Sequence, residues 1–139
     1  MLHLSTFDLE KSLLHALYQK GTLRERLPIL RIGSPLSYLE EPHLWVEVTK
    51  AQVVGLNRVH AEGEVGVSIP LLKGNEAMSV IETVRDVLKC PLPLLQGQQQ
   101  IGEAYLTEKS LHRTLKKEAN LTIITFDAFL RLEHIFKDI

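Results

Sequence analysis

The hydrophobic pattern of the chain is clearest between Gly63 and Cys90, where a strand pattern gives way to a helix pattern. In the strand pattern the alternating apolar positions are Val65, Val67, Ile69 and Leu71. After a Lys-Gly-Asn break at 73–75, the apolar positions at helical spacing are Ala77, Val80, Ile81, Val84, Val87 and Leu88. The pattern predicts a strand over Glu64–Leu72, a turn, and an amphipathic helix with Asn75 as its N-cap and Cys90–Pro91 at its end.

A second amphipathic helix is predicted over Ser5–Lys20. Its apolar stripe consists of Leu9, Leu13, Leu14 and Leu17. Ser5 is suited to cap the first turn, with Asp8 three positions on as a shorter form of the capping box. Gly21 then provides a left-handed stop, so one helix is expected before the first strand.

The remaining apolar runs predict strands separated by turns. The predicted strands are a short edge strand at Leu27–Ile32, a half-buried strand at His43–Lys50, two strand ends around a turn near Gly55–Asn57, a strand at Ile101–Thr107 and a long strand at Leu121–Leu132. Pro28 favours the edge position because proline has no backbone N–H. The long strand is apolar on both faces, which indicates a central strand or one covered by a neighbouring subunit.

Three polar or proline-rich stretches are predicted as connections. Residues 34–42 form a loop, Pro-Leu-Pro-Leu-Leu at 91–95 is an extended connector to Gly97, and Glu108–Ala119 is a basic hairpin loop with a helical turn as the alternative. The element order predicts an α+β fold. Its sheet is expected to be mostly antiparallel, with four to six strands and two amphipathic helices packed on one face.

Composition narrows the class of protein without naming a function. The 139 residues fit a single domain, and their formal net charge of -1 gives no field that would gather nucleic acid or an anionic membrane. No apolar run approaches the roughly 20 residues needed to span a bilayer, and the N-terminus lacks the features of a signal peptide. The single cysteine excludes an internal disulfide and a multi-cysteine zinc site. We therefore expect a cytoplasmic protein, or one that is assembled in a cytoplasm.

The sequence contains no motif that predicts catalysis or cofactor binding. The six histidines form no His-x-His, His-x-x-x-His or His-Glu-x-x-His pair, so we predict no metal site. Cys90 follows the C-terminus of a helix, which is the end that does not stabilise a thiolate. The acidic pairs Glu40–Glu41 and Glu62/Glu64 have no identifiable nucleophile beside them and are interpreted as solvated acids. The expectation is a protein that is not an enzyme.

One basic cluster stands out. It consists of Lys109, His112, Arg113, Lys116 and Lys117. The cluster lacks interleaved aromatic residues for base stacking, so no sequence-specific nucleic acid binding is predicted. Two interpretations stay open: a solvated loop, or a loop that contacts a charged partner such as a nucleic acid backbone.

Several stretches together resemble one protein family. They are the helix Leu9–Tyr18, the segment Ile29–Ile32, Pro-His-Leu-Trp-Val-Glu-Val at 42–48, His60–Ile69, the helix Ala77–Leu88, the Leu-Pro-Leu-Leu-Gln-Gly connector at 92–97, and the closing strand at 122–132. In order, length and hydrophobic pattern they are similar to the small tail-terminator, or tail-completion, proteins of long-tailed phages and gene transfer agents. The likeness runs through most of the chain and rests on no single motif.

This resemblance implies a structural function with no catalytic residues. Residues 1–139 would be one tail-terminator-like domain, a virion assembly protein that forms a homo-oligomeric ring, usually a hexamer. The ring would cap the tail tube, end its growth and join it to the head connector, with the tail-tube and head-completion proteins as partners. Such a protein would be cytoplasmic during assembly and then part of the virion tail of a phage, a prophage or a gene transfer agent. No membrane partner is implied.

A ring subunit must offer surface to its neighbours. The residues that we expect at that interface are Gly63, Gly66, Phe126 and Phe129, and the basic cluster is the expected partner-contact loop. Two hypotheses from other classes remain. One is a small binding module or adaptor whose exposed strand edge captures a peptide, and the other is an enzyme whose site gathers distant acids and histidines such as His60, Glu62 or His112.

Overall fold

The computed structural model describes residues 4–27, 29–33, 42–70, 74–116 and 119–133. Within these ranges the helices are α1 (Thr6–Tyr18), α2 (Gly21–Arg26) and α3 (Gly74–Leu88). The strands are β1 (Ile29–Ile32), β2 (His43–Gly55), β3 (Arg58–Pro70), β4 (Leu92–Gln96), β5 (Gln99–Lys116) and β6 (Ala119–Leu132). None of the described helices has the length and apolar character needed to cross a membrane.

The strands form one six-stranded sheet in the order β1-β2-β3-β6-β5-β4. The sheet is mixed, because β1 runs parallel to β2 while the other neighbouring strands are antiparallel. β1 lies at one edge of the sheet, which confirms the edge position predicted from Pro28. β6 lies between β3 and β5, which confirms a central position for the long closing strand. The described chain is therefore α+β with three helices, where the sequence pattern predicted two.

Helix α1 joins the two ends of the sheet. Its buried leucines are Leu9, Leu13 and Leu17. The helix contacts β4 at one end of the strand order and β1 and β2 at the other, so the sheet curls around it. Ser12 Oγ accepts a hydrogen bond from the Leu95 N–H at 2.8 Å, which fixes α1 against β4.

The start of α1 follows the prediction and its end does not. Ser5 is the N-cap, and its backbone N–H donates to the Asp8 carboxylate at 2.9 Å, as in a capping box. The helix ends at Tyr18, and Gly21 is not in the left-handed region; it begins α2. The predicted glycine stop was therefore wrong, because the Leu23 N–H donates to the Lys20 carbonyl and starts a new helical turn at once.

Helix α3 supplies the other large part of the core. Its buried residues are those of the predicted stripe, Ala77, Val80, Ile81, Val84, Val87 and Leu88. They belong to one hydrophobic cluster with the leucines of α1 and apolar residues of β2, β3, β4, β5 and β6. The helix begins at Gly74, so Asn75 lies in its first turn and is not the cap.

The hairpin predicted near Gly55–Asn57 is confirmed, and two predicted connections are strands. β2 ends at Gly55 and β3 begins at Arg58, with Asn57 at a φ of 58° in the turn. The proline-rich connector forms β4, and Glu108–Ala119 is paired with β6 up to Lys116 opposite Ala119. The predicted basic loop was wrong, because the backbone of this segment pairs with the first half of β6. The polar side chains of the segment are compatible with a strand whose outer side is exposed to water.

Gly66 allows a fully buried indole to lie flat on β3. A Cβ at this position would overlap atoms of the Trp45 ring, and Trp45 is only 1% exposed. Trp45 and Gly66 are opposite each other across the β2–β3 pair. The glycine is thus required by the packing within one subunit.

Gly66→Ala is expected to lower the free energy of unfolding by about 1–3 kcal/mol, because the added methyl group overpacks a closed site. Gly55→Ala is the matched control, since a Cβ there meets only Arg58 Cβ at 3.9 Å, and its effect should stay within about 0.5 kcal/mol. Urea denaturation followed by circular dichroism measures both. Equal effects of the two substitutions would contradict this account of Gly66.

Glu10 is a buried carboxyl at the contact between α1 and β2. It is 8% exposed, and its Oε2 accepts the Val48 N–H at 2.9 Å. Burial raises the pKa of Glu10 above its ordinary value of 4.5, against the opposing effect of the Val48 hydrogen bond, and the nearby charge of Glu47 raises it further. The folded state therefore binds this proton more tightly than the unfolded state does.

A raised carboxyl pKa contributes stability below the unfolded pKa, and that contribution is lost as the pH rises through the folded pKa. Glu10→Gln keeps an oxygen for the Val48 N–H and removes the titration. We expect the wild type to lose stability relative to the Gln variant as the pH is raised from below 4.5 to neutrality. Denaturant midpoints of both proteins over this range measure the difference. A difference that stays constant or changes in the opposite direction would refute the assignment.

Candidate functional site

Charged and aromatic side chains gather on the face of the sheet that does not join the hydrophobic cluster. His60 of β3 is opposite Phe129 of β6, which is opposite Tyr105 of β5. In the neighbouring row Glu62 is opposite Asp127. Residues that are directly opposite in antiparallel strands share a face. We call this region the outer face.

A charge network on the outer face joins the row of Glu62 and Asp127 to His60 of the neighbouring row. Lys109 Nζ lies 3.1 Å from Glu62 Oε1 and 3.8 Å from Asp127 Oδ1, and His60 Nε2 lies 3.0 Å from Asp127 Oδ1. A register shift between Glu108 and Ser110 brings Lys109 towards these acids. The hydrogen bond to Glu62 and the charges of Asp127 and Glu62 raise the pKa of Lys109.

This network has the residue types of a metal site but not the charge balance. Ligand atoms of His60, Glu62 and Asp127 lie within 4.8 Å of one another, the one such group among the described residues. The Lys109 ammonium already lies beside both carboxylates, so a metal ion would have to displace it. The geometry supports a network of ion pairs.

Among the described residues, the histidine of this network is not paired with a nucleophile. The imidazole of His60 is bonded to Asp127 and stacked on the Phe129 ring, with centroids 4.8 Å apart. Within the described part of the chain, no serine, threonine or cysteine side chain is hydrogen bonded to His60, so the nucleophile that a histidine base would activate is missing there. Cys90 is exposed at the end of α3, away from these groups in the sequence.

An exposed aromatic patch adjoins the charge network. Phe129 is 52% exposed and Tyr105 is 43% exposed. Together with Val54 they line a cleft of about 470 Å³ whose charged residues are Arg58 and Arg131. Large side chains exposed side by side in this way are typical of surfaces that contact another protein. We call this surface the aromatic patch.

Of the four residues predicted at a subunit interface, only Phe129 is exposed. Gly63, Gly66 and Phe126 are buried inside the subunit. A Cβ on Gly63 would lie 2.7 Å from Phe126 Cζ and 2.6 Å from the Glu47 carbonyl oxygen. Close packing within the chain thus accounts for both glycines, and the surface candidate is reduced to Phe129.

The predicted basic cluster is divided by the strand that carries it. Lys109 is paired with acids of the outer face, while His112 and Arg113 are neighbours on β5 and point to opposite faces. Arg113 Nη2 lies 2.8 Å from the Met78 sulfur of α3. Lys116 ends β5, and nothing is described of its side chain; Lys117 lies outside the described residues. The described members therefore do not form one basic loop.

The strand edge that a peptide would extend is occupied at β4. The Leu95 N–H is bonded to Ser12 of α1, Gln96 Nε2 donates to Asp8 Oδ2 at 3.3 Å, and Pro93 has no N–H to offer. The opposite edge, β1, has four residues. At β4, helix α1 therefore takes up part of the edge that strand addition would use.

Comparison with known proteins identifies a shared fold. No family model and no curated protein matches the sequence. Among solved structures, a chain from the virion of a native gene transfer agent particle is similar with a TM-score of 0.59 and 12% sequence identity, over 88% of this chain and 94% of that chain. A second solved chain is similar with a TM-score of 0.52 and 10% identity, over 91% and 92% of the two chains. At these identities the likeness establishes the fold over nearly the full length of each protein.

Proposed function

We propose that this protein is a structural component of a phage-like particle and acts as its tail terminator. The observation that carries the proposal is the fold shared with a chain of a gene transfer agent virion over 88% of this chain and 94% of that one. The match runs nearly end to end in both chains. The order and pattern of the sequence elements resemble the tail-terminator family independently of that fold.

In this proposal the subunits close into a ring, usually of six. The ring caps the tail tube, ends its polymerisation and presents a surface to the head-completion protein. The aromatic patch supports an assembly role, because Phe129 and Tyr105 leave large apolar surface in water on a single subunit. Arg58 and Arg131 lie beside the patch, and their positive charges would help to orient a partner with complementary charge.

The charge network supports a structural role for the outer face over a catalytic one. Its ion pairs link β3, β5 and β6 beside the aromatic patch, through Lys109, Glu62, Asp127 and His60. Paired in this way, they hold the strands that present Phe129 without offering a nucleophile. A rigid presenting surface lowers the entropy cost of repeated assembly.

The test is to delete the gene from the element that encodes the particle and to image the particles by electron microscopy. We expect tails of abnormal length that are not joined to heads. The wild-type gene and Met78→Glu, a change at an exposed residue of α3, should restore normal particles, while Phe129→Glu should not. Tails of normal length joined to heads after deletion would refute the terminator function. Normal particles with Phe129→Glu would refute only the role of the aromatic patch.

A further inference from the structure

An open groove runs along α1, bordered by α2 and β1. Its volume is about 610 Å³. The apolar residues that line it are Phe7, Leu14, Tyr18, Leu27 and Ile32, and the basic ones are Lys11, His15 and Arg24. The groove involves neither the aromatic patch nor the charge network.

The groove uses a second stripe of α1. Phe7, Lys11, Leu14 and Tyr18 are spaced by four, three and four positions, which places them on one side of the helix. The core leucines of α1 lie on the other side. Phe7 is 49% exposed and Tyr18 is 50% exposed, so two aromatic side chains mark the ends of a stripe roughly 16 Å long. Packing of α1 against the core does not require aromatic side chains at these two exposed positions.

The positive charge at the rim of the groove is not paired with acids of the described residues. Lys11 Nζ lies 5.3 Å from the Phe7 ring centroid, and Arg24 Cζ lies 5.4 Å from the Tyr18 ring centroid. Among the described residues neither cation forms an ion pair, and no acidic side chain lines the groove. An apolar floor with unbalanced cations is complementary to an apolar ligand that carries carboxylates.

We propose that this groove docks an acidic amphipathic segment of a partner protein. Apolar side chains of the segment would cover Phe7, Leu14 and Tyr18, and its carboxylates would pair with Lys11 and Arg24. A stripe of this length fits about three turns of helix or about five residues of extended chain. The inference goes beyond the tail-terminator function and holds whether or not that function is correct.

The apolar lining and the two fixed cations of the groove together indicate the chemistry of the partner. Two fixed cations are few for a nucleic acid backbone, whose binding relies on many phosphate contacts. The apolar and aromatic lining supplies the larger contact area, and burial of such side chains dominates the energetics of peptide recognition. The two charges then select an acidic segment over a neutral or basic one.

The probe for the test is a peptide from a random 12-residue display library, selected on the full chain and labelled for fluorescence anisotropy. We expect the selected peptides to be enriched in Asp and Glu together with aliphatic or aromatic residues. Lys11→Glu/Arg24→Glu should weaken binding by at least about tenfold, as should Phe7→Ala/Tyr18→Ala. The control Lys50→Glu/Lys89→Glu changes the net charge equally at exposed residues away from the groove and should leave the affinity unchanged.

Melting temperatures of all variants separate a binding defect from loss of the fold. Peptides without acidic enrichment, or acidic peptides whose affinity is unaffected by Lys11→Glu/Arg24→Glu in a folded protein, would overturn the proposal. A change in the molar mass of the chain in solution caused by the same double substitution would assign the groove to a second copy, which would also overturn it. A defect in particle assembly caused by Phe129→Glu with unchanged peptide binding bears on the proposed function alone.

Discussion

Val84→Asp is expected to leave no stably folded protein under conditions in which the wild type is native. Val84 is 0% exposed, on the buried face of α3 and inside the main hydrophobic cluster. An aspartate there would place a carboxylate among apolar side chains and remove two methyl groups from the core. Substitutions that combine a buried charge with lost packing cost about 4–5 kcal/mol or more, a large share of the roughly 5–15 kcal/mol that stabilises a domain.

Circular dichroism and urea denaturation of the purified variant measure this effect. Met78→Asp on the same helix is the matched control, because Met78 is 51% exposed and the Arg113 guanidinium lies beside its side chain. A carboxylate at that position stays hydrated and near a cation, so its effect should be below about 1 kcal/mol. An unchanged melting temperature for Val84→Asp, or equal losses for both variants, would contradict the placement of the α3 face.

The parts of the fold that could be predicted from the sequence are those that local periodicity determines. The stripe from Ala77 to Leu88 and the leucines Leu9, Leu13 and Leu17 of α1 lie in the core, as their helical spacing predicts. The turn at Gly55–Asn57 follows from residues that tolerate its backbone conformation, and Asn57 indeed has a positive φ. In each case the necessary information lies within one helix or one hairpin.

The elements that were missed depend on partners distant in sequence. Residues 108–116 are polar and resemble a loop, but β6 pairs with them from Glu108 opposite Phe126 to Lys116 opposite Ala119, with one register shift between Glu108 and Ser110. β4 contains Pro93, yet one of its sides pairs with β5, and on the other side the Leu95 N–H is bonded to Ser12 of α1. Backbone pairing of this kind overrides local composition, because strand preference reflects the neighbouring strands more than the residue itself.

The charge network and the groove could not be predicted from the sequence for a related reason. His60 and Asp127 are 67 positions apart, and Lys109 is 47 positions from Glu62. Their contact requires the register of β3 with β6 and the shift at Glu108/Ser110 in β5. The groove had a weak local signal in the spacing of Phe7, Lys11, Leu14 and Tyr18, but Leu14 also fits the edge of the core stripe. The pattern alone favoured one apolar face.

Phe126→Ala is expected to destabilise the protein much more than Phe129→Ala. The two phenylalanines lie on the same strand, β6, but on opposite faces of the sheet. Phe126 is 0% exposed and its ring lies against Gly63, whereas Phe129 is 52% exposed. Truncation of a fully buried phenylalanine costs about 3–5 kcal/mol, because it leaves a cavity in the core that the facing Gly63 has no side chain to fill. Phe129→Ala should cost less than about 1 kcal/mol, apart from its stacking on His60.

Equilibrium urea denaturation compares the two alanine variants, and Phe126→Leu provides a graded intermediate that retains part of the buried volume. Equal destabilisation by Phe126→Ala and Phe129→Ala would mean that the two faces of β6 are not distinct in solution, and the assignment of the aromatic patch to the surface would fail. The expected inequality has a consequence for assembly. A change at Phe129 that leaves stability intact but blocks particle formation acts on a contact between molecules, whereas a change at Phe126 can act only by unfolding the subunit.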